Sequence, residues 1–143
     1  MLRYRPKHAK RAAEWQCTTA TGDDPRNPLG AQQEDVDLIF WKVPGRRIII
    51  MIAGQPGSAQ ERIVDCYRML MGPSRFAPPQ QPSRILVSSP AIAERLRVGL
   101  SGIVQVVCAP TPELEARVGR KNEEYEVYIP RWAEFDREQA QLN

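Results

Sequence analysis

Val36-Asp-Leu-Ile-Phe-Trp-Lys-Val-Pro-Gly-Arg-Arg-Ile-Ile-Ile-Met-Ile-Ala53 is the stretch on which the fold turns. It holds two runs rich in β-branched and aromatic residues, Val36 to Val43 and Arg46 to Ala53, joined by Pro44-Gly45, and so predicts a β-hairpin. Pro-Gly is not the favoured two-residue hairpin connection, so a bulge or a wider turn is expected with it. Ile48 to Ile52 is apolar at every position instead of alternating. That is the pattern of a central strand covered on both faces.

The segments downstream fit helices and strands around that hairpin. Ser58-Ala-Gln-Glu61 has the spacing of a capping box, in which the serine oxygen accepts the Glu61 amide and the glutamate reaches back. Ala59, Ile63, Cys66, Tyr67 and Leu70 then fall on one helical stripe, and Gly72-Pro73 ends it. Residues 72–83 carry four prolines and read as a stiff internal connection. Next comes a β-α-β unit. Arg84 to Ser88 is a short strand, Ser89-Pro90 opens a helix with Ile92, Leu96 and Leu100 on its buried stripe, and Ile103 to Cys108 returns as a strand. Thr111-Pro112-Glu113 opens a brief helix that stops near Gly119. Tyr125, Val127 and Ile129 alternate as a last strand, and Trp132 and Phe135 anchor a final, mostly polar helix.

Upstream, Glu14 to Thr21 alternates as a strand. Residues 21–35 form a long loop, either functional or poorly ordered. Residues 1–13 form a basic, flexible arm. The expected fold class is α/β, with α+β as the alternative. It is one domain over residues 14–143: a mixed sheet with a β-hairpin and a β-α-β unit, helices mainly on one face.

Pro82-Ser-Arg-Ile-Leu-Val-Ser-Ser-Pro-Ala-Ile-Ala-Glu-Arg-Leu96, with Gly102-Ile-Val-Gln-Val106 and Pro112-Glu-Leu114, resembles a group of uncharacterised bacterial α/β domains. Those carry a Pro-x-x-Ile-x-Val strand, a Leu-Ala-x-x-Leu helix and a Gly-Ile-x-Val strand. The resemblance covers about residues 50–115; it implies a fold and assigns no site residues.

Chemistry is harder to find. A net charge of +3 with 26% charged residues is ordinary for a globular chain. No apolar run approaches the roughly 20 residues of a membrane-spanning helix, and the N-terminus lacks the apolar stretch of a secretory signal. Cys17, Cys66 and Cys108 are odd in number and widely spaced, as reduced thiols of a cytoplasmic protein would be. His8 is the only histidine and lies in the arm, so no Ser-His-Asp or Cys-His pairing is legible, nor a histidine-rich metal site.

Neither a Walker nor a dinucleotide-binding motif occurs. Gly54-Gln-Pro-Gly-Ser58 lies between a strand and a helix, and the amides of Gly57 and Ser58 form a candidate anion site there. Asp23-Asp24, in the long loop, and Asp35 with Asp37, at a strand start, are the carboxylates that a small hydrolase or nuclease would use, the last two as magnesium ligands.

The expected function is a non-catalytic binding or accessory domain that acts on another protein, without cofactor or metal. The alternative is nucleic-acid binding through the arm, with Arg3, Arg5, Lys7, Lys10 and Arg11 on phosphates and Tyr4 stacked on a base. A third use of the arm is to pair with the acidic segment that begins at Glu123, Glu124 and Glu126.

Overall fold

The chain forms strands β1 (Glu14–Thr21), β2 (Asp37–Lys42) and β3 (Ile48–Gly54), then helix α1 (Ser58–Met71) and strand β4 (Arg84–Val87). Helix α2 (Pro90–Leu100), strand β5 (Gln105–Cys108), helix α3 (Pro112–Arg117), strand β6 (Tyr125–Tyr128) and helix α4 (Trp132–Leu142) follow. The computed structural model describes residues 14–30, 34–72, 81–120 and 122–142. The basic arm, with all its candidate contacts, and residues 73–80 of the proline-rich connection lie outside them.

The strands make one six-stranded mixed sheet in the order β5-β4-β1-β2-β3-β6. β1, β2 and β3 form an antiparallel meander, and β4, β5 and β6 add parallel to β1, β4 and β3. The expected α/β class and the hairpin are therefore present. The Arg46 N–H donates to the Val43 carbonyl at 3.1 Å, and Gly45 has φ 79°. This is a type II turn, in which proline pre-sets the first corner and only glycine takes the second at no cost.

β3 is buried on both faces, as its unbroken apolar run requires. One face of the sheet carries Trp15, Cys17, Ile39, Trp41, Ile49, Met51, Ile85 and Val87 against Ile63, Cys66, Tyr67 and Leu70 of α1 and Ile92 and Leu96 of α2. Trp132 of α4 packs on the same side. The other face carries Leu38, Phe40, Ile48, Ile50 and Ile52 under Leu114 and Val118, at α3. Three helices thus share one face and the shortest takes the other. The steps β3-α1-β4 and β4-α2-β5 run toward one edge over the first face. β5-α3-β6 returns over the second, so all the parallel connections have the same hand.

Helices α1 and α2 touch closely. A Cβ built at Gly99 of α2 would stand 2.5 Å from Cγ2 of Val64 of α1, which explains a glycine inside that helix.

β1 departs from simple alternation. Gln16 and Thr18, on its second face, are each only 4% exposed. Gln16 Oε1 accepts the Leu114 N–H at 3.1 Å, while its Nε2 donates to Glu113 Oε1 at 3.1 Å. A buried amide in the middle of the sheet is tolerated because it holds the start of α3.

Candidate functional site

Strands β1, β3 and β4 run in the same direction. Their carboxyl ends therefore meet at one edge of the sheet, where α1 and α2 begin. Asp37, at the first position of β2, lies at that edge. Register shifts there: Asp37 pairs with Gly54 and Leu38 with Ile52, which leaves Ala53 as the extra residue of a bulge. A bulge re-aims the neighbouring side chains. The Asp37 carboxylate turns onto α1, where Oδ2 accepts the Gly57 N–H at 2.8 Å and the Ala59 N–H at 3.0 Å.

This arrangement replaces the capping box. Gly57, not Ser58, is the N-cap, in a left-handed conformation (φ 98°), and no side chain of the turn caps the helix. The Ser58 hydroxyl instead donates back to the Gln55 carbonyl. A carboxylate brought from another strand thus satisfies two of the helix's free amides and faces the positive end of its dipole. Asp37→Ala is expected to cost about 2 kcal/mol, because the part-buried Gly57 amide and the buried Ala59 amide lose a charged acceptor. Ser58→Ala is expected to cost under about 0.5 kcal/mol. Urea melts of both variants check this, and equal losses would return the cap to Ser58.

The same bonds bear on the candidate anion site. The Gly57 amide is already taken by an anion of the chain itself, so a phosphate or carboxylate beside Gly57 and Ser58 would meet the Asp37 charge. Asp35 is exposed and precedes the strand, whereas Asp37 is buried at the helix start. The structure does not bring the two together.

The loop of residues 22–30 is ordered by its own polar side chains. Asn27 Nδ2 donates to the Gly22 carbonyl at 2.7 Å, and Asn27 Oδ1 accepts the Leu29 N–H at 2.8 Å. Asp24 accepts from the Arg26 backbone at 2.8 Å and from its guanidinium at 3.2 Å. Arg26 Nη1 reaches Glu115 of α3 at 2.7 Å. Asp23 accepts from the Thr21 hydroxyl. Both acids of the Asp23-Asp24 pair therefore serve the loop. Among the described residues no group of three or more His, Cys, Asp or Glu side chains is placed to hold a metal ion.

The Arg26 hydrogen bonds hold the Asp24 carboxyl below its ordinary value. Burial alone would raise Glu115, but hydrogen bonds from Arg26, Thr18 and Thr111 outweigh it and hold that carboxyl low as well. Groups depressed on folding stabilise above their unfolded pKa, and the contribution is lost as pH falls through the folded value. Acidification below about pH 4 is therefore expected to free this loop from α3 before the sheet opens. Amide exchange at Asn27 and Leu29, followed against Ile50 as pH is lowered, reads this directly; simultaneous loss of protection would rule it out.

The arginines of the body are largely committed to acids. Glu123 is bound by Arg117 at 2.5 Å, Glu124 by Arg47 at 3.3 Å and Glu126 by Arg46 at 2.7 Å. The three glutamates that an N-terminal arm would pair with thus already have cationic partners. Asp136 joins Arg62 at 2.8 Å, and that guanidinium also stacks 4.2 Å from the Trp132 ring centre, which fastens α4 to α1.

Cys17 and Cys66 are buried in the core, and burial pushes both thiols up, Cys66 to about 12. Neither is poised as a thiolate nucleophile.

Beyond β6, a groove of about 510 Å³ opens between the strand, α4 and Met69 of α1. Val127 and Ile129 on its wall are 45% and 61% exposed. The alternation of Tyr125, Val127 and Ile129 thus marks a strand that ends at Tyr128, one residue before Ile129, and Val127 and Ile129 are largely exposed. Phe135 stacks edge-on with Trp132 at 5.5 Å and lines the groove, with Glu134 and Glu138 beside it. Glu134 is paired with Arg131 at 3.3 Å, and Glu138 has no ion partner among the described residues. Periodicity could not reveal this site, because its apolar residues come from a strand and two helices separate in sequence.

No helix among the described residues is long and apolar enough to cross a membrane. No family model matches the chain, and no curated protein or solved structure matches it.

Proposed function

We propose that this chain is a non-catalytic binding domain that recognises another protein, and that the groove beside β6 takes an extended peptide of that partner. The observation that carries this reading is the exposure of Ile129 next to Phe135 in a concave surface beside the edge strand β6. Apolar side chains gathered in an open groove and rimmed by charge are the anatomy of a peptide-binding surface. Glu138, with no ion partner among the described residues, selects a peptide that places a lysine or arginine beside an apolar anchor.

One feature weighs against a nucleic-acid role for the body. Most of its arginines are committed to carboxylates, and phosphate contacts need cations free to replace counterions. The arm is the remaining route for that alternative. Buried Cys17 and Cys66 and an exposed, unpaired Cys108 suit a reducing compartment such as the cytoplasm.

The test is selection of a random peptide library on the intact protein, followed by fluorescence anisotropy of the enriched peptides. Peptides pairing an apolar with a basic side chain are expected, with binding lost in Ile129→Glu and weakened in Glu138→Lys. Peptides that bind Ile129→Glu as well as the parent would refute the groove. A labelled oligonucleotide held at moderate salt, and released when residues 1–13 are removed, would favour the arm instead.

A further inference from the structure

We infer that the cleft at the carboxyl ends of β1, β3 and β4 is a second binding site, specific for a small alkylammonium ion anchored on Asp37. The cleft has a volume of about 340 Å³ and lies between the first turns of α1 and α2. In sheets with parallel strands, ligands gather at this edge, because the loops leaving the strands part there.

Asp37 sets the chemistry. It is 8% exposed and lines the cleft. Oδ2 is consumed by the Gly57 and Ala59 amides. Oδ1 accepts no hydrogen bond from the described residues, so a nearly buried carboxylate turns an unmet acceptor toward the cavity. Acceptors in that position are filled by water or by a ligand donor.

Three observations select the ligand. Asp37 is the one charged side chain among the described residues that line the cleft, so the site carries a negative charge. At α1 the Gly57 and Ala59 amides are already occupied by it, and the Ser58 amide by the Gln55 carbonyl. The Thr21 hydroxyl spends its proton on Asp23 and presents lone pairs, and the Thr19 hydroxyl stands on the same strand. An –NH3⁺ group, with three donors and a positive charge, matches this set of acceptors. The methyl groups of Ala59 and Ala91 and the side chain of Ile92 give the rest of the wall an apolar character that suits a short alkyl chain.

The probe is n-butylammonium, titrated into ¹⁵N-labelled protein and followed by amide chemical shifts, with n-butanol and butyrate as matched controls. The Gly57, Ala59 and Thr19 amides are expected to shift and saturate with the ammonium ion alone, at about millimolar affinity for so small a ligand. Asp37→Asn keeps the oxygen that caps α1 but removes the charge, and is expected to weaken binding roughly tenfold or more. Ala91→Phe fills the cleft from an exposed helical position without touching the cap, and is expected to abolish binding. It decides the question if Asp37→Asn does not fold. Butyrate moving these amides in place of the ammonium ion would overturn the inference. So would ammonium binding unchanged by Ala91→Phe, or no saturable shift up to roughly 0.1 M. The outcome is independent of the β6 groove, whose residues this site does not share.

Discussion

Trp41→Ala is expected to lower stability by about 3–5 kcal/mol, whereas Trp41→Phe should cost about 1 kcal/mol or less. The contrast comes from the indole. Trp41 is fully buried and meets Trp15 edge-on at 6.1 Å and Tyr67 at 6.4 Å, so truncation opens a large cavity in the middle of the first core. Its Nε1–H, however, is buried and finds no hydrogen-bond partner among the described residues, as is true of Trp15. Leaving such a donor unpaired costs about 1–3 kcal/mol. Phenylalanine retains most of the ring contact and removes the orphan donor, so the two terms offset. Equilibrium urea unfolding of both variants measures this. If Trp41→Phe lost as much as Trp41→Ala, the indole N–H would have to be bonded or the packing far less forgiving.

Ile50→Ala tests the opposite face, with an expected loss of about 2–5 kcal/mol. Ile50 lies at the centre of β3, paired with Phe40 on one side and Val127 on the other, and it is fully buried. The core on that side is small, and its cover is a six-residue helix. A helix so short has little stability of its own and depends on the apolar surface beneath it. The variant should therefore also raise amide exchange at Leu114, which sits over this cluster. A loss below about 1 kcal/mol in denaturant melts would show that the second face contributes little and that α3 is held mainly by its polar contacts with Gln16 and Arg26.

Much of the framework can be read from residues near one another in the chain. The Pro44-Gly45 turn is written in local conformational preference, since proline pre-sets one corner and glycine accepts the positive φ of the next. The unbroken apolar run of Ile48 to Ile52 announces burial on both faces. The stripe of Ala59, Ile63, Cys66, Tyr67 and Leu70 coincides with the buried side of α1. Ser89-Pro90 opens α2, with the serine oxygen accepting the Ile92 N–H at 3.4 Å. Each of these signals works over a few residues, through turn geometry, capping or helical spacing.

What tertiary structure alone decided is which distant groups meet. Ser58 and Glu61 have the spacing of a capping box, yet Asp37, twenty residues before Gly57, supplies the cap, because a bulge in the neighbouring strand aims a charged acceptor at the same amides. Gln16 and Thr18 are the polar positions between Trp15, Cys17 and Thr19 in an alternating strand. They are buried because β1 sits inside the sheet and α3 docks by way of Gln16. The glutamates of the acidic segment, Glu123, Glu124 and Glu126, meet Arg117, Arg47 and Arg46 of the folded body, pairings that no local pattern announces. Hydrophobic periodicity reports which side of an element is covered; it carries no information on what covers it. The order β5-β4-β1-β2-β3-β6, the β6 groove and the Asp37 cleft follow from chain crossings that only the packed sheet determines.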